Sequence, residues 1–149
     1  MHIAAYFGCI DVVKMLIPKL HNPNAASKFG ITPIHLAAWK GHLGIVDALI
    51  VSAENLNSPE SRGNTLIHFA AMGGHDKIVD LLKQFTNNPN AQNNQGYTPS
   101  QYAKMNGHFN LSYFLENGTY PNLLRRIWIL LIIVRFVPLV IDHNQGYKS

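Results

Sequence analysis

Small, apolar and polar residues recur along the chain at a fixed distance of 33 positions. Alanine stands at 4, 37, 70 and 103, leucine at 16, 49, 82 and 115, and glycine at 8, 41, 74 and 107. The polar positions keep the same step: Gly30, Gly63 and Gly96, then Thr32, Thr65 and Thr98, then His2, His35 and His68. Within one period the pattern predicts two short helices. Thr32 and Thr98 are suited to cap the first helix through their hydroxyls, with Pro33 and Pro99 in its first turn, where a missing N–H is harmless. The paired alanines Ala37-Ala38 and Ala70-Ala71 leave room for neighbouring helices to approach closely. Gly41, Gly74 and Gly107 then permit the turn into a second helix. Ile45, Val46, Leu49 and Ile50 give that helix one apolar face. The intervening segments, residues 21–29, 55–62 and 88–95, are rich in Asn, Pro and Ser and read as long turns or hairpin fingers.

A unit of this kind cannot bury its apolar stripe alone, so it must stack, and about three units are the practical minimum. The run Gly30-Ile31-Thr32-Pro33-Ile34-His35-Leu36-Ala37-Ala38, followed by Gly41-His42-Leu43-Gly44-Ile45-Val46, resembles the ankyrin-repeat family, whose signature is Thr-Pro-Leu-His-x-Ala. Residues 63–82 repeat it with Leu66 in place of proline. Residues 96–115 keep Thr98-Pro99 but carry Ser100-Gln101 for Leu-His and Lys104 for alanine. The resemblance spans residues 1–122 and implies an all-α solenoid of about four stacked helix-turn-helix units with β-hairpin or loop fingers. The helical parts fall in 1–21 (a partial unit), 30–54, 63–86 and 96–118. Asn110 and Ser112 are expected to make the last unit a solvent-facing cap. The first unit starts inside the motif, with Met1 where leucine is expected before His2, and this suggests a fragment.

Beyond residue 122 the register breaks. Residues 123–149 form an apolar C-terminal segment in which 127–141 are interrupted only by Arg135 and Pro138. A spanning helix needs about 20 apolar residues, and a central arginine is costly in a bilayer. The segment is read as a cap folded on the stack, with a membrane anchor over 123–141 as the alternative.

Composition narrows the function. The net charge is +4, but Arg125, Arg126, Arg135 and Lys148 all lie in the last quarter, and the rest is nearly neutral. No basic footprint for nucleic acid is present. The single cysteine, Cys9, excludes an intrachain disulfide and a cysteine-based zinc cluster, and with no secretory signal it fits a cytoplasmic or nuclear setting. The eight histidines do not read as metal ligands. His35 and His68 occupy equivalent places in adjacent units, roughly 8 to 10 Å apart at the backbone, whereas zinc needs ligands about 2 Å away. By the family resemblance they bond turn backbone beside the threonine caps. No nucleophile elbow, phosphate loop or dinucleotide fingerprint appears, so neither enzyme activity nor a cofactor is expected.

The resemblance implies a scaffold or adaptor that binds a partner protein on a concave surface of first helices and finger tips; an ankyrin part of a larger enzyme complex, such as a ubiquitin ligase, is a further alternative. The positions that vary between units are the candidates. One register gives Tyr6, Trp39, Met72 and Met105, and the next gives Phe7 and Lys40. Aromatic and methionine side chains favour interfaces, and the competing role for the stripe is gap-filling in the core. Finger-tip candidates are Phe29, Arg62 and Tyr97, with Lys28, Ile31, Ser61, Asn64, Asn94 and Gln95 beside them. Asn24, Asn57 and Asn90 resemble the finger asparagine that a hydroxylase modifies in some family members.

Overall fold

The structure, a computed structural model, describes residues 1–53, 56, 58–86 and 88–120. Eight α-helices occur among these residues, in four pairs: α1 His2–Phe7 and α2 Ile10–Leu16, α3 Pro33–Lys40 and α4 Leu43–Ile50, α5 Leu66–Gly73 and α6 Asp76–Lys83, α7 Pro99–Met105 and α8 Phe109–Asn117. A 3-10 turn, Ile17–Lys19, extends α2. The first helices pack on one another in the order α1, α3, α5, α7, and each also packs on the second helix of its own pair. This contact is close because Ala5, Ala37, Ala38, Ala70, Ala71 and Ala103 are fully buried where the helices meet. Val46, Leu49, Ile78, Val79 and Leu82 fill the layer between first and second helices.

Each first helix after α1 starts at its threonine. The Thr32 and Thr65 hydroxyls lie 2.8 and 2.9 Å from Nδ1 of His35 and His68, and the Thr32 and Thr65 backbone N–H groups donate to the same nitrogens. A capping box satisfies otherwise orphaned N–H groups in this way. Thr98 does the same with Gln101, whose Oε1 accepts from the Thr98 N–H at 2.9 Å. The two histidines thus bond the backbone beside the threonine caps and complete them.

The turn histidines, by contrast, join consecutive units. Nε2–H of His42 donates to the Tyr6 carbonyl at 3.1 Å and that of His75 to the Trp39 carbonyl at 3.0 Å. Gly41 and Gly74 are required twice over. Both hold positive φ, 82° and 75°, and a Cβ at either would overlap the imidazole of His75 or His108 from the following unit.

One expectation changes and one alternative narrows. Of the turn and hairpin forms expected for the fingers, the described residues show turns and no β-strand. Each is closed by two backbone bonds, such as Glu60 N–H to the Asn64 carbonyl and Gly63 N–H to the Glu60 carbonyl, and adjacent fingers share one, Ser61 N–H to Phe29 carbonyl or Asn94 N–H to Arg62 carbonyl. That is too few for a ladder. Ser112 does not face solvent. It is buried, because it takes the register of the core residues Val46 and Val79, and its hydroxyl lies 3.0 Å from that of Ser100, which also donates to Glu116. Asn110 is exposed as expected. The apolar segment 123–149 and Asn57 lie outside the described residues; among those described, no helix is long and apolar enough to cross a membrane.

Candidate protein-binding surface

The stripe Tyr6, Trp39, Met72, Met105 runs along the first helices, and none of the four is buried. Tyr6 and Trp39 meet edge to face with centroids 6.1 Å apart. Lys40 reaches over both rings, its Nζ 4.6 Å from the Tyr6 centroid and 4.2 Å from that of Trp39. Such a cation over an aromatic face is worth about 0.5–1 kcal/mol when exposed, and here it orders three candidate residues into one patch.

Beside this patch, between the fingers and helices α3, α5 and α7, lies a pocket of about 400 Å³. Phe29, Trp39, Phe69, Met72 and Tyr102 supply most of its wall, with Ile31 completing it. Phe69 and Tyr102 are held upright by the capping boxes, since each ring packs edge-on against the histidine of the preceding unit: His35 at 4.9 Å and His68 at 5.9 Å. The helix caps thus also set the pocket walls. Glu60, Asn64, Ser61 and Arg62 of the second finger form the polar side.

Glu60 is an unusual occupant, a carboxylate only 6% exposed. Burial opposes its charge, but N–H groups of Arg62 and Asn64, the Asn64 amide and the Ser61 hydroxyl bond it, and its carboxyl is held below the usual carboxylate range. The Asn64 amide donates at 2.8 Å and in turn accepts from Asn93 on the next finger at 2.7 Å. Glu60 is therefore an ionised keystone of the finger row. Below it, His35 is buried, and burial lowers its pKa to about 4. Its Nε2 has no hydrogen-bond partner, whereas the equivalent nitrogens of His2 and His68 donate to the Ile31 and Tyr97 carbonyls.

No group of three or more His, Cys, Asp or Glu side chains among the described residues is placed to hold a metal ion. The family model for ankyrin repeats, in three copies, matches over residues 1–93 and again over 45–125. The chain belongs to the ankyrin-repeat family. No curated protein matches it. Ankyrin repeats serve generally as protein-protein interaction modules and are typically non-catalytic.

On this ankyrin stack the predicted site residues divide. Phe29, Trp39, Arg62 and Met72 line one pocket, with Tyr6 and Lys40 on its flank. Phe7 lies further out, 69% exposed and edge-on to Tyr6 at 5.1 Å. Tyr97 packs on Tyr102 at 5.8 Å without lining the pocket. Met105 is 67% exposed and lies outside it. Asn24 and Asn90 use their side-chain oxygens on the Ile34 and Ser100 N–H groups, seating the helix starts.

Sequence reasoning missed Glu60, Phe69 and Tyr102. A signal for the last two was present: their register reads Ile3, Leu36, Phe69, Tyr102, a switch from aliphatic to aromatic halfway along the stack. Glu60 shares its register with Ser27 and Asn93, all of them polar residues whose side chains accept N–H groups of their own finger. Nothing in that pattern separates the charged member from its neutral counterparts.

Proposed function

We propose that this ankyrin stack is a non-catalytic scaffold or adaptor that holds a partner protein on the face made by its first helices and fingers. The observation that carries this reading is the Tyr6–Trp39 aromatic pair beside a pocket of about 400 Å³ that Trp39 and Phe29 both line. Pockets of this size with few polar groups suit an inserted side chain, and exposed aromatic anchors dominate binding energy at protein interfaces. A cytoplasmic or nuclear setting suits the exposed, unpaired Cys9.

The test uses partners captured by the full chain, each purified and re-measured. The double variant Phe29→Ala, Trp39→Ala is expected to weaken binding by about a hundredfold with an unchanged helical circular dichroism signal. A control on the second helices, Lys77→Ala with Gln84→Ala, is expected to leave binding intact. The reverse pattern would place the interface on the outer helices and overturn the proposal.

A further inference from the structure

The pocket along the second to fourth units is apolar inside and cationic around its mouth. Arg62 belongs to its lining, Lys40 sits 4.2 Å from the Trp39 ring centroid, and Lys28 sits 4.9 Å from that of Phe29. All three are exposed. No ion pair joins any of them to a carboxylate among the described residues; the two lysines rest on aromatic rings. We propose that this pocket receives a large apolar side chain from a partner polypeptide segment whose flanking residues are acidic.

The inference rests on the protein-binding reading above and gives it a partner chemistry. Phe69, Met72 and Tyr102 offer an apolar wall large enough to hold an aromatic or branched aliphatic side chain, and burying that side chain supplies affinity without regard to charge. Charge then selects. Among the described residues Glu60 is the one carboxylate that lines the pocket, and its oxygens already accept from the Asn64 backbone and amide and from the Ser61 hydroxyl. A cationic segment would meet Arg62, Lys40 and Lys28 before it reached that carboxylate. An acidic segment would instead pair with three cations that have no ionic partner among the described residues, and it gains both encounter rate and register from them. The two lysines are held by ring contacts, so part of the entropy of ordering them is already spent before a partner arrives.

The test selects short random peptides displayed on phage against the immobilised full chain. Parallel selections use two variants checked for folding by circular dichroism: Lys40→Glu with Arg62→Glu, and Phe29→Ala with Trp39→Ala. The expected pool carries a large apolar residue beside Asp or Glu. A synthesised member is expected to lose about tenfold or more in affinity on charge reversal, to weaken as salt rises, and to fail on the alanine variant. A pool rich in Lys or Arg, or a peptide indifferent to charge reversal yet dependent on Phe29 and Trp39, overturns the acidic partner and leaves the protein-binding face standing. Peptides that bind equally to all three chains, or no enrichment beyond that on the alanine variant, overturn both.

Discussion

The two interior helix pairs, α3–α4 and α5–α6, and the C-terminal pair, α7–α8, share one register but close their cores with different chemistry. In the interior the two registers hold Ile34 and Val46, then Ile67 and Val79, all buried, and a buried histidine completes the threonine cap. In the C-terminal pair the same places hold Ser100 and Ser112, joined by a hydroxyl bond and extended to Glu116, and the cap is Gln101. Polar groups at core positions are tolerated when every one has a partner. The difference teaches that the repeat fixes shape and spacing, and leaves each unit free to choose what fills them.

The harshest way to break the interior is to charge its tightest contact. Ala70 is fully buried between first helices, so Ala70→Asp is expected to cost about 4 kcal/mol or more and to abolish the cooperative helical melt. An unchanged melting temperature would refute the close-packed alanine interface. Units stacked in this way share stability with their neighbours, so the loss should extend to the pocket.

The two kinds of cap respond differently to pH. Burial lowers the His35 pKa from 6.5 to about 4, and that of His68 in the same direction. The unfolded chain therefore binds more protons than the folded one between these values. Stability contributed by keeping His35 neutral is fully present above pH 6.5 and falls as pH drops toward 4, by on the order of 3 kcal/mol across the window. Glu60, whose pKa is also depressed, adds loss in the same direction only below its ordinary carboxylate range. His35→Gln installs the side chain that already caps α7. It is expected to keep stability near pH 7 within about 1 kcal/mol and to flatten the decline between pH 6.5 and 5 in urea titrations. An unaltered slope would show that His35 is not the group responsible.

The third and smallest effect lies in the C-terminal pair. Ser100→Ala leaves the Ser112 hydroxyl short of a partner and is expected to cost about 1–2 kcal/mol. The double change Ser100→Ile, Ser112→Val rebuilds the interior pattern and is expected to restore that loss. If the double variant melts below the single one, the serine pair is shaped by something other than its own hydrogen bonds.

Much of this fold was legible in the chain. Thr32, Thr65 and Thr98 start helices, Gly41 and Gly74 end them, and the alanines mark where helices touch, because caps, positive φ and small side chains are local demands that a periodic sequence repeats openly. The site was legible in part. Trp39, Phe29, Arg62 and Met72 stand out as large or charged residues at variable registers, and they meet at one pocket. Phe69 and Tyr102 did not stand out, since they occupy a register that Leu36 also fills. Met105 and Tyr97 looked equivalent to pocket residues but lie away from it, because a register fixes the side of a helix and says nothing of which neighbours stand opposite.

The sequence by itself determined the repeat, the threonine starts and glycine turns of its helices, and the kinds of residue that the finger face displays, all set by interactions within one unit of about 33 residues. Only the tertiary structure decided that Ser112 is buried beside Ser100, that His42 and His75 tie each unit to the one before, and that Glu60 sits ionised under Asn64 and Ser61 at the edge of an aromatic pocket. Those are contacts between turns, fingers and units brought together by stacking. Their distances depend on how closely the alanine faces approach, and no single unit carries that information.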